Sequence, residues 1–188
     1  MKKILLTLFV LFFSSSVFAE NITDFEIGGM SVGKSLLNYM SEKQIKKNIG
    51  YVYPDKKYTT TLFEGSVEKY DLIGFDYKTT DSKYLIYGIF GFINFSNNIN
   101  ACYQKQDKIV KELEKLFNKN FIRDWGILVY NNHDSSTYRP INYEFDSGDA
   151  IQISCTNYPE EPNQNNLKVS IMMREYKEYL YTDAVTAK

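Results

Sequence analysis

One histidine, two cysteines and one tryptophan in 188 residues leave little material for the commoner kinds of site chemistry. A single His excludes a zinc site built on a histidine pair of the HExxH kind. No Cys-x-x-Cys occurs, so a zinc ribbon and a thioredoxin-like redox pair are excluded too. An excess of one charge is also missing: 22 Lys and Arg face 23 Asp and Glu. Nucleic acid or anionic lipid would therefore not be held by bulk charge. Four prolines and ten glycines exclude a collagen-like or linker-dominated chain. No internal period of roughly 20–50 residues is visible, which argues against solenoids and propellers. What is present is 44% hydrophobic and 16% aromatic residues, enough for the core of one domain and too many for a disordered chain.

The N-terminus carries a pattern of its own. Lys2 and Lys3 precede an apolar run from Ile4 to Phe13 broken only by Thr7, followed by three serines and Val17-Phe18-Ala19. This order of charge, apolar run and small residues predicts a bacterial secretory signal over residues 1–19, cleaved between Ala19 and Glu20. The run is shorter than the about 20 apolar residues that span a bilayer. Position 20 is Glu and not Cys, so the lipoprotein route is closed. The expected product is periplasmic or secreted, without a stable membrane anchor, and consists of a single α+β domain over residues 20–188. Loss of two lysines leaves 20 basic against 23 acidic residues, a mildly acidic chain.

Periodicity sets the expected layout. Thr23 to Ile27 reads as a short strand, a glycine turn follows, and Lys34 to Met40 reads as a short helix. Ser41 with Gln44 three residues on forms a capping box and predicts a second short helix to about Asn48. Lys57–Phe63, Tyr70–Lys78 and Lys83–Phe95 then alternate as strands, the last apolar on both faces and so central. Asn97 to Lys119 is the long helix, with Ile99, Cys102, Ile109, Leu113 and Leu116 on one face. Past an unpatterned stretch around Trp125, alternation returns in Arg139–Asp146, Ile151–Cys155 and Leu167–Met173. The expected fold is an antiparallel meander with one long and two short helices packed on one face, divisible into two helix–three-strand halves. The tail from about Thr182 is expected to fray.

Two cysteines in an exported chain are read first as one disulfide. Cys102 lies on the apolar stripe of the long helix, and Cys155 on the apolar face of its strand. Both point into the same layer, which predicts a Cys102–Cys155 bridge.

Gly28-Gly29-Met30-Ser31-Val32-Gly33-Lys34-Ser35 matches the phosphate-loop pattern G-x-x-x-x-G-K-[ST], after a candidate strand and before a candidate helix. Gly28, Gly33, Lys34 and Ser35 are thus candidate phosphate-binding residues, with Leu72–Asp76 as a possible second motif. Against this stand the short helix, the antiparallel layout and the export signal. The competing reading is a glycine turn entering a capped helix.

His133 sits beside Asp134, Ser135 and Ser136, but consecutive residues do not converge as a catalytic triad does, and a surface loop is expected. Glu144, Asp146 and Asp149 cluster at a turn without calcium-loop spacing. Tyr176, Tyr179 and Tyr181, with Met172 and Met173, are either an aromatic contact surface for sugar or protein or simply strand-forming residues.

Phe25-Glu26-Ile27-x-Gly29-Met30-Ser31-Val32-Gly33-x-Ser35-Leu36-Leu37-x-Tyr39, with Tyr87–Phe95 and Cys102–Leu116, resembles a group of small exported bacterial proteins of unknown function. More loosely, a Gly-Met-Ser turn opening a helix before strands resembles the helix–strand modules of outer-membrane-assembly lipoproteins and β-lactamase-inhibitor proteins. Neither resemblance implies a catalytic residue. The expectation is a non-enzymatic binding or protein-interaction module without metal or cofactor, its partner another envelope protein and not nucleic acid. Nucleotide or phosphate binding at Gly28–Ser35 is the alternative.

Overall fold

Alternating side chains build one antiparallel sheet, of nine strands among the described residues. The computed structural model describes residues 21–67, 69–116, 122–131 and 135–186, so the expected signal segment falls outside the described residues. The sheet contains β1 (Ile49–Val52), β2 (Tyr58–Val67), β3 (Tyr70–Lys78), β4 (Gly88–Asn94), β5 (Ile122–Asp124), β6 (Leu128–Asn131), β7 (Ser136–Glu144), β8 (Ala150–Asn157) and β9 (Asn166–Met172). Their order is β1-β2-β3-β4-β9-β8-β7-β5, with β6 also paired to β7. The helices are α1 (Glu42–Lys47), α2 (Ile99–Leu113) and α3 (Arg174–Thr186). The class is α+β, mostly antiparallel sheet. Strands β2–β4 and β7–β9 are two consecutive meanders that meet where β4 pairs with β9.

The caps act where the side chains allow. Ser41 accepts from the Gln44 N–H while Gln44 accepts from the Ser41 N–H, which starts α1. Asn98 accepts from the Ala101 N–H and starts α2.

Register divides the sheet into two faces. Thr61, Phe75, Ile89, Ile171, Ile151 and Tyr143 follow one another across neighbouring strands on one face. This face packs against α2 through Cys102, Ile109 and Leu113, and against Phe25, Ile27, Val32 and Leu36 of the N-terminal segment. Gln106 of α2 is fully buried there and donates from Nε2 to the carbonyls of Arg139 and Ile153. Arg139 reaches Asp107 on α2 and Asp124 on β5, at 2.7 and 2.8 Å.

The helices differ from the expected set. Two are long and one is short, and α3 lies on the face opposite α2, where the Tyr176 ring sits against Gly88 of β4. Tyr176, Tyr179 and Leu180 stand at helical spacing and pack on Tyr58, Ala150 and Met172. That spacing overrides the strand propensity of tyrosine, and the helix runs to Thr186. Asp149, at the turn between β7 and β8, accepts from the Arg174 N–H at 2.6 Å and so satisfies one free amide at the start of α3.

Smaller differences have similar causes. Residues 22–24 form a single 3-10 turn and not a strand, and Lys34–Met40 contracts to a 3-10 turn at Leu36–Asn38. The central strand begins at Gly88, five residues later than expected. Before it, the backbone of Tyr84–Ile86 turns away to bond with Gly33, Lys34 and Leu36. β1 and the short edge strands β5 and β6 are additional to the expected layout.

Candidate functional site

The two cysteines are bonded, with Cα atoms 6.0 Å apart. Both are fully buried on the α2 face, one helical repeat before Ile109 and two residues beyond Ile153.

Gly28, Gly29 and Gly33 all adopt positive φ, as the glycine turn requires. The amides of the turn are engaged by the chain's own carbonyls. Met30 N–H donates to Ile27, Gly33 N–H to Ile86 and Leu36 N–H to Tyr84. The Ser35 hydroxyl accepts from the Leu37 N–H and donates to the Lys83 carbonyl. Ile27, Met30 and Val32 pack into the α2-face core, while Asp76 lies on the other side of the sheet. Gly28, Gly33, Lys34 and Ser35 are thus close in the turn but do not meet Asp76.

Asp76 sits beneath α3 and is 2% exposed. Thr60 donates to its carboxylate, and burial pushes its pKa up to about 6 despite the Thr60 and Tyr176 hydroxyls and the nearby Lys168, which pull it down. Burial lowers the Lys168 pKa, and the ammonium lies 4.5 Å from the Phe90 ring centroid. Tyr53 and Tyr176 share a 2.7 Å hydroxyl contact beside Asp76, and Tyr179 donates to Asp55. Burial raises the Tyr53 pKa to about 12. Perturbed pKa values often mark active sites, but a site needs access. Here the helix and its tyrosines cover the carboxylate. The cluster holds α3 to the sheet.

Beside α3 the same face opens into a groove of about 380 Å³. Trp125, Leu128, Tyr138 and Tyr181 form its walls, and Met172 and Ala150 line it deeper in. Trp125 is 54% exposed and Tyr181 is 58% exposed. Neighbouring strands bring Asn142 and Gln152 opposite each other. The Gln152 amide nitrogen donates to Asn142 Oδ1 at 2.9 Å and to the Tyr181 hydroxyl at 3.3 Å. Lys177 and Glu144 form a 3.0 Å ion pair at the groove. Rings, carboxamides and a neutralised charge pair therefore converge in one concavity.

The groove regroups residues that the sequence presents otherwise. Of the three C-terminal tyrosines, Tyr176 and Tyr179 are buried and only Tyr181 faces the groove. Asn142 and Gln152 read in sequence as solvent-facing alternates, and Trp125 as unpatterned. The available signal was two carboxamides on the polar faces of strands joined by one short turn. Among the described residues, no group of three His, Cys, Asp or Glu side chains is placed to hold a metal ion. Glu144 and Asp149 are engaged with Lys177 and with Arg174 and Ser147. His133 and Asp134 lie outside the described residues. Elsewhere, Ile49, Tyr51 and Val52 are exposed along the edge strand β1.

Comparison with known protein families, curated proteins and solved structures finds no match to this chain. Among the described residues no helix is long and apolar enough to cross a membrane.

Proposed function

We propose that the chain is an exported, non-enzymatic binding module whose ligand sits in the groove between α3 and strands β7 and β8. The observation that carries this reading is the composition of the groove. Aromatic rings supply contact area, Asn142 and Gln152 supply hydrogen bonds, and Lys177 is tied to Glu144. These groups recognise a ligand without reacting with it. The volume falls within the range of about 300–1,000 Å³ usual for ligand sites. The disulfide supports the export half of the reading, since such bonds persist in oxidising compartments.

Trp125 is the chain's single tryptophan, so its emission reports on the groove. Purified chain is titrated with soluble fractions of a bacterial envelope extract while Trp125 emission and ligand mass are followed. A saturable emission change with the ligand recovered unaltered is expected. A chemically converted ligand, or no fraction that moves the emission, overturns the reading. Expression of the full chain in a bacterium should yield a product starting at Glu20 by intact mass.

A further inference from the structure

We infer that the groove beside α3 takes a neutral saccharide, an inference that rests on the binding reading above and names its ligand class.

Charge in the groove is already paired. The groove's lysine and glutamate pair with each other at 3.0 Å, and Arg123 approaches the other Glu144 oxygen at 3.8 Å. An anionic ligand would meet a Lys177 already compensated by Glu144, and a cationic one would compete with both Lys177 and Arg123. Lys177 and Glu144 already compensate each other, so a ligand of either charge gains little from them. A neutral ligand leaves both intact.

The two carboxamides keep unused hydrogen-bonding capacity. Both Gln152 N–H bonds are used, one by Asn142 and one by Tyr181. A carboxamide has two donors and an acceptor oxygen, so the Gln152 oxygen and the Asn142 NH2 remain without protein partners among the described residues. A wholly apolar ligand would strip water from these groups and return nothing, at a cost of about 1–3 kcal/mol each. The ligand must offer both a donor and an acceptor within one short span. A sugar hydroxyl does so in a single group.

Two aromatic rings stand open to solvent at the groove. Trp125 and Tyr181 are more than half exposed. Exposed rings beside fixed amides suit a ligand with an apolar face and a polar rim. A pyranose has this form: axial C–H bonds on the face, hydroxyls around the edge. The C–H face rests on the ring and the edge reaches the amides. An uncharged peptide shares the donor–acceptor pattern but lacks the flat C–H face, and it serves as the competing probe.

The test uses the mature chain and Trp125 emission. Maltohexaose, cellohexaose, chitohexaose and xylohexaose are titrated into the millimolar range, beside a blocked, uncharged peptide of alternating Ala and Tyr. At least one hexasaccharide should give a saturable change, weakened about tenfold or more in Gln152→Ala and in Tyr181→Ala. Both variants should keep the parent melting temperature, and Tyr39→Ala, far along the chain and outside the groove, should bind as the parent does. If the peptide saturates and no hexasaccharide does, the saccharide assignment fails while the binding reading stands. If no probe saturates, or a saccharide binds equally to all variants, the saccharide assignment is overturned at this site. Emission unmoved by envelope fractions as well overturns the binding reading with it.

Discussion

The two faces of the sheet are covered by helices of similar length but held in different ways. On the α2 face the core is largely aliphatic, with Phe25, Phe75 and Tyr143 among it: Ile109 and Leu113 of α2 share it with Ile151, Ile153 and Val169, and a disulfide ties helix to strand. On the α3 face the contacts are phenolic and ionic. Tyr53, Tyr58, Tyr176 and Tyr179 stack edge to face over Asp76, with Lys57 and Lys78 over nearby rings. The α2 face leaves only a small pocket of about 30 Å³ beside Ile109 and Leu113. The α3 face retains polar groups whose burial is costly, and part of it is left open as the groove. We therefore place the larger share of the stability on the α2 side, with the proposed binding groove on the other.

Breaking the disulfide is the hardest test of that division. The bridge spans 53 residues. Cross-linking a loop of that length removes chain entropy worth about 4 kcal/mol from the unfolded state. The double variant Cys102→Ala, Cys155→Ala should lose about that much stability in urea denaturation. Far-UV circular dichroism should stay close to the parent. A loss comparable to that of a surface substitution would show that the α3 face holds the fold.

Asp76 tests the opposite face through pH. Burial raises its pKa from the ordinary 3.8 to about 6, so the folded chain binds this proton more tightly than the unfolded one. Stability from this group is full below the unfolded value and is lost as pH rises through about 6. Two pKa units correspond to roughly 3 kcal/mol. Asp76→Asn removes that dependence while leaving an acceptor for Thr60. The stability of the variant relative to the parent should therefore rise by roughly 2–3 kcal/mol between pH 4 and pH 7.5. Parallel pH profiles for the two proteins would place the carboxylate in water.

Gly88 sharpens the comparison at one backbone position. A Cβ there would come 2.6 Å from the Tyr176 ring and 2.9 Å from the Asp76 carboxylate, so only glycine lets α3 approach β4 this closely. Gly88→Ala should cost about 2 kcal/mol through forced overpacking. Near-UV circular dichroism from the tyrosine cluster should weaken while the disulfide-tied α2 face keeps its protection in hydrogen exchange. Equal loss of protection on both faces would show that they do not separate.

How much of this was legible depended on whether one element or several carried the pattern. The bridge could be read because Cys102 belongs to a seven-residue helical repeat with Ile109 and Cys155 to a two-residue repeat with Ile153, so each strand or helix orients its own cysteine. The capping box at Ser41 and Gln44 is likewise local, and α1 starts there. The second helical face was obscured because Tyr176, Tyr179 and Tyr181 satisfy both a strand preference and, for the first two, a helical spacing. Only packing against Tyr58 and Met172 decides between them. β5 and β6 are too short for alternation to register, and they are held by pairing with β7. The groove was the least legible feature. It takes Trp125 from a loop, Asn142 and Gln152 from the polar sides of two strands, and Tyr181 from a helix, and no single stretch contains its chemistry.

The smallest expected effect on stability falls at the residue with the largest expected effect on binding. Trp125 is 54% exposed and follows the edge strand β5, its N–H donating to the Pro140 carbonyl at 3.3 Å. Truncating its side chain leaves that backbone bond in place and opens no internal cavity. Trp125→Ala should therefore change unfolding stability by no more than about 0.5 kcal/mol, as for other surface positions. Binding should respond differently, because an aromatic anchor in a groove contributes through the area it covers. With the fluorophore gone, affinity for the hexasaccharide is read by calorimetry, where the parent's heat of binding should fall to the baseline. A variant that binds as the parent does would move the ligand away from this wall of the groove. One that loses stability by several kcal/mol would place Trp125 in the core, and the α3 face would then be as closed as the α2 face.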